Sequence, residues 1–95
     1  MIKAFLARFP EFAESLQDGD KEVIALTLKA AETELSRNHW GELFEEGVLF
    51  LAADKLTRSR IGESLRDPDE SLAKSVYAVE FERLARIASM GARVI

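Results

Sequence analysis

The side chains able to do chemistry are few. The chain has a single histidine, His39, beside Trp40 at the expected start of a helix. A histidine supports nucleophilic catalysis when a serine lies against one ring nitrogen and a carboxylate orients the other. Ser36 is close in sequence only, so a turn or capping role is the simpler expectation. Glu42, Glu45, Glu46 and Asp54 place carboxylates on one predicted helix, and the spacing of Glu42 and Glu46 would let them share a cation. A solvated face is the ordinary outcome for such a group. Lys55, Arg58, Arg60 and Arg66 form a modest basic cluster toward a helix C-terminus, where cations are favoured locally and phosphate contact is the sharper alternative. Neither Gly19 nor the region of Gly62 fits a phosphate-binding loop. The chain has no cysteine, which excludes a disulfide scaffold, an iron–sulfur site, a thiol nucleophile and a thiolate zinc site. No catalytic, cofactor-binding or metal-ligating set is expected, and the chain reads as a non-enzyme.

These residues belong to a chain of 95, with 47% hydrophobic residues and net charge −4. That is one domain over 1–95, with an expected radius of gyration of about 12 Å. No apolar run approaches a membrane span. The opening MIKAFLARF is too short for a signal peptide, so a cytoplasmic location is expected. The acidic balance argues against tight non-specific duplex binding. Charge is uneven: residues 1–54 carry 5 basic and 11 acidic groups, and residues 55–95 carry 8 and 6. Solvated helix faces explain this; so would a dipolar subunit whose acidic half faces a neighbour's basic half.

The predicted elements that carry these residues are all helical. Lys3–Arg8 is a short helix stopped at Phe9-Pro10. Helix Lys21–Ser36, capped by Asp20, presents Ile24, Leu28, Ala31 and Leu35 on one apolar face, widened by Val23 and Leu26. Arg37–Gly41 interrupts, and a helix over Glu42–Arg60 follows. Its middle, Gly47–Ala53, which includes Leu51, is apolar all round. So short a chain can hardly enclose such a helix, which makes it an oligomerisation signal. Asp67, Pro68 and Glu70 form a capping pattern for a last helix running to about Ser89 and ended by Gly91. Tyr77, Phe81, Leu84 and Ala88 line its buried stripe, flanked by Leu72, Val76 and Val79. The tail Ala92–Ile95 is short and apolar, expected to be disordered or docked. The expected architecture is an all-α bundle of four to five helices with a short first and a long last helix.

The segment Phe5-Leu6-Ala7-Arg8-Phe9-Pro10-Glu11-Phe12 resembles the N-terminus of the head–tail connector (head-completion adaptor) proteins of tailed phages and prophages. Ala31-Glu32, Trp40-Gly41, Leu51-Ala52-Ala53-Asp54-Lys55-Leu56 and Tyr77-Ala78-Val79-Glu80-Phe81 are similar to later motifs of that family, in order, over about residues 4–91. Asp54 stands where the family often has histidine, and Ala78 where many members have glycine. The resemblance implies a structural role in the virion or, from a prophage, in the host cytoplasm. Subunits would form a homo-oligomeric ring, about twelve-fold, below the portal. The ring would extend the DNA channel without specific binding and meet the portal protein and the next connector or tail protein. Residues Ile2–Phe12, Lys55, Arg58, Arg60, Arg66, Val94 and Ile95 are then candidates for subunit or portal contact. Phe5, Phe9, Pro10, Phe12, Trp40 and Gly41 join the structural set. Two other classes remain open: an adaptor or antitoxin-like module that binds one protein, and a DNA-binding regulator using Arg37-Asn38-His39-Trp40.

Overall fold

A computed structural model describes residues 1–14, 16–59 and 75–94, with side chains up to residue 90. The protein is an all-α bundle: α1 (Ile2–Arg8), α2 (Asp20–Glu34), the single turn α3 (Arg37–Trp40), α4 (Phe44–Thr57) and the long α5 (Val76–Val94). Among the described residues there are also two 3-10 turns, Pro10–Phe12 and Gly41–Leu43. Helix α4 lies at the centre and packs most extensively against α2 and α5.

The chain begins with an aromatic nucleus. Pro10 fixes the backbone after α1 and starts the 3-10 turn, while its own ring is exposed. This fold-back brings Phe5, Phe9 and Phe12 together, with centroids 5.3 Å apart for Phe5–Phe9 and for Phe5–Phe12. Phe9 then meets Phe50 of α4 at 5.1 Å and Tyr77 of α5 at 5.3 Å, both edge-on, the geometry aromatic rings favour. A proline expected in the core thus acts from the surface, by directing the rings that follow it.

Helix α2 starts one residue early and ends two early, where Leu35 turns extended. Gly19, at φ 86°, holds the cap position. Asp20 is buried instead, and its carboxylate accepts from the Gln17 N–H at 2.7 Å. Ile24, Leu28 and Ala31 are buried as expected and Leu35 is half-buried against the core. Val23 and Leu26 do not widen that stripe: Leu26 is 69% exposed. At 3.6 residues per turn it stands about 180° around the helix from the midpoint of Ile24 and Leu28.

Residues 37–41 are a helical turn with its own cap, since the Ser36 Oγ accepts from the His39 N–H at 3.2 Å. The turn ends at Gly41, which is exposed at φ 55°, a conformation that favours glycine. The predicted helix over Glu42–Arg60 therefore begins only at Phe44 and ends at Thr57. Trp40 is buried beneath it, stacked on Phe81 of α5 at 5.3 Å. Gly47 makes this possible, because a Cβ there would lie 2.6 Å from the indole Cζ3.

The apolar helix α4 is enclosed by its own chain. Phe44, Val48, Leu49, Phe50, Ala52, Ala53 and Leu56 are all buried, and Leu51 is half-buried. The oligomerisation signal drawn from this helix is thereby answered inside one subunit. Wrapping α4 with helices on both sides achieves what chain length alone made implausible.

The capping pattern at Asp67, Pro68 and Glu70, with Leu72, lies outside the described residues, as do Arg60, Arg66 and Ile95. Within them, Ser75 caps α5: its Oγ accepts from the Ala78 N–H at 3.0 Å and its hydroxyl donates to Asp54 Oδ1 at 2.8 Å. Leu84 and Ala88 are buried, with Tyr77 and Phe81 half-buried against the core. Val76 and Val79, expected as flanks of that stripe, are 73% and 56% exposed. Gly91 does not end the helix, which continues to Val94, so the expected tail is helical over residues 92–94. A C-terminal glycine stops a helix by taking positive φ, and Gly91 does not take it.

Candidate functional site

The structure gives His39 a serine partner, though a distant one in sequence. His39 Nε2 lies 3.3 Å from Ser89 Oγ, linking α3 to α5 on an exposed face. Acyl-transfer chemistry needs backbone donors aimed at a developing oxyanion. Ser89 sits within α5, where the ladder of the helix occupies the N–H groups around it. The contact is a helix-to-helix tie.

The acidic residues do not converge. Glu42 sits in the 3-10 turn and Glu46 on α4, where it faces Arg8 at 3.5 Å. Asp54 is buried at the far end of α4, holding Ser75 and Arg58, the latter at 3.2 Å. Among the described residues no group of three His, Asp or Glu could hold a metal ion. The two described members of the basic cluster face carboxylates of their own chain, Lys55 meeting Glu34 at 2.7 Å and Arg58 meeting Asp54. Arg37 lies over the Phe44 ring at 4.2 Å and Trp40 is buried. A one-turn helix with half its residues so engaged offers little for a DNA groove, which a recognition helix reads with several side chains.

Tyr77 is the polar group that ties the two ends of the chain together. Its hydroxyl donates to Glu11 Oε2 at 2.5 Å, joining the first 3-10 turn to α5 across the aromatic nucleus. Burial, then the hydrogen bond and the charge of Glu11, push the phenol well above its ordinary range.

Several large apolar side chains stand in solvent among the described residues. On α5, Val76, Val79, Ile87 and Met90 are 73%, 56%, 42% and 63% exposed. Their spacing is i, i+3, i+11 and i+14, and Arg83 fills the i+7 position, bonded to Glu80 within the helix. That bond holds the Glu80 carboxyl below its usual range and raises Arg83. Beside the stripe, Ala85, Arg86, Ser89 and Met90 line an open depression. On α2, Val23, Leu26 and Ala30 form a second exposed set at i, i+3 and i+7. Sequence reasoning placed Val23, Leu26, Val76 and Val79 at the edges of buried stripes. The signal it passed over was that each helix carries two apolar stripes, on opposite sides.

Compared with family models, curated proteins and solved structures, the chain shows no match.

Proposed function

We propose that this chain is a structural subunit of a phage or prophage head–tail connector, assembling as a ring below the portal and extending the DNA channel. The carrying observation is where the residues of the resemblance meet. Phe5 packs on Phe9 and Phe12, which close on Tyr77 and so join motifs more than sixty residues apart, and Trp40 stacks on Phe81 in the same core. The motifs of the resemblance thus supply much of the core that holds α1, α4 and α5 together. The charge pattern supports the same reading, since residues 1–54 are strongly acidic and an acidic lumen offers DNA few phosphate-binding groups to hold it.

Light scattering on a sizing column over a wide concentration range, with micrographs of the largest species, tests the proposal in the presence and absence of portal protein. A closed ring with an open centre, alone or templated on the portal, is the expected result. A chain that neither forms rings nor binds portal protein overturns it. The second reading is an adaptor module that binds one protein, favoured by the exposed stripe on α5. A stable one-to-one complex with no ring at any concentration is its signature.

A further inference from the structure

We infer that the start of α5, residues 75–80, is a strap closed by two polar ties, able to open while the rest of the bundle stays folded. The device does not depend on what the chain assembles with.

The two halves of α5 are held differently. Downstream, Leu84 and Ala88 are buried in the core, and the Phe81 ring lies on the Trp40 indole at 5.3 Å. Upstream, the buried residue is Ala78, a single methyl, while Val76 and Val79 stand in solvent. A methyl contributes far less on burial than a leucine side chain. The start of α5 therefore depends on two side chains that make polar bonds.

The first is Ser75. Its Oγ accepts from the Ala78 N–H at 3.0 Å and donates to Asp54 Oδ1 of α4 at 2.8 Å. Asp54 is buried, and its second oxygen faces the exposed Arg58 at 3.2 Å. The second is Tyr77, whose hydroxyl donates to Glu11 and whose ring meets Phe9 at 5.3 Å and Phe12 at 5.6 Å. One hydroxyl thus both caps α5 and fastens it to α4, so the first turn and its attachment are lost together. A segment held by few buried apolar groups opens at a lower free energy than the whole molecule. Opening uncovers the rings of Phe9 and Phe12 where Tyr77 covers them, an aromatic patch that the closed form hides.

Native-state hydrogen exchange on the full chain tests this, with Asp54→Ala and Ser75→Ala. Asp54→Ala spares the capping hydroxyl and cuts its tie to α4. The reporters are the amides of Ala78, Val79 and Glu80, against those of Leu84, Ala88 and the middle of α4. Each variant should speed exchange at the first set about tenfold and leave the second set slow. The double variant should exchange no faster than Ser75→Ala, because both changes break one linkage. Ser75→Thr keeps the hydroxyl and should behave as the natural chain. If Asp54→Ala leaves Ala78, Val79 and Glu80 as slow as in the natural chain, the cap acts alone and the tie to α4 is overturned. If exchange rises equally in both sets, α5 opens only with the whole bundle and the strap is overturned. Ser75→Ala alters a half-buried side chain, so it decides this last point even where Asp54→Ala does not fold.

Discussion

Helices α4 and α5 are both rich in apolar residues, and they end in opposite situations. Helix α4 is apolar around its circumference, and its buried residues meet α2 on one side and α5 on the other. Helix α5 is amphipathic, yet it leaves Val76, Val79, Ile87 and Met90 in solvent. Overall hydrophobicity therefore does not mark which helix keeps large apolar side chains in solvent. An all-apolar helix must be enclosed somewhere, and the nearest neighbours in the chain enclose it first. A helix at the edge of the bundle has one face for the core and keeps whatever the sequence put on the other. The second apolar stripe is the informative feature, since its four large side chains stay out of the core formed by the described residues.

The difference can be broken most strongly at α4. Val48 is fully buried, and Val48→Asp puts a carboxylate without a partner in the core. A loss above about 4 kcal/mol is expected, enough to remove the cooperative transition in a thermal melt. A folded Val48→Asp would show that α4 is not enclosed.

Next is the junction of α3, α4 and α5. Trp40→Ala should cost about 3 kcal/mol or more in denaturant unfolding. Gly47→Ala should cost about 1–3 kcal/mol by crowding the indole. Combined with Trp40→Ala, the alanine at position 47 should instead stabilise, because the clash is gone and alanine is better than glycine in a helix by about 1 kcal/mol. Simple additivity of the two changes would refute the contact.

Smaller effects are expected at Tyr77. Tyr77→Phe removes the bond to Glu11 and should cost about 1 kcal/mol. Tyr77 is the sole tyrosine, so ultraviolet absorbance titrates it alone. Its pKa is raised in the fold, so the neutral phenol belongs to the folded state. The stabilisation is complete below about pH 10, the unfolded value, and is lost as pH rises beyond it, where only the unfolded chain releases the proton. Phenolate absorbance should therefore appear only with unfolding, and Tyr77→Phe should flatten the alkaline loss of stability.

The smallest effect is expected on the outer face of α5. Met90→Gln should change monomer stability by less than about 0.5 kcal/mol. A larger loss, measured where the chain is monomeric, would mean that Met90 is packed and the stripe is not a free surface.

Much of this fold was legible because local rules and packing agreed. Pro10 stopped α1, the spacing of Ile24, Leu28 and Ala31 defined the buried face of α2, and Leu84 and Ala88 did the same for α5. Helix ends were less legible. Ser36 capped a turn that read as an interruption, and Gly91 was passed through because it takes no positive φ. The candidate surface was hardest to see. Val23 and Val79 sit close enough to buried positions on the helical wheel to pass as flanks, and only the position of the neighbouring helix decides whether a flank is covered.

Periodicity, proline and glycine act over a few residues, so the helical class, the aromatic start and the buried faces could be read from residue order alone. The enclosure of α4 by its own chain, the anchoring of the α5 cap to Asp54 through Ser75, and the reach of Tyr77 to Glu11 came from the folded arrangement. Those outcomes depend on which helices become neighbours, and that follows from packing all the apolar faces at once, which local periodicity does not encode.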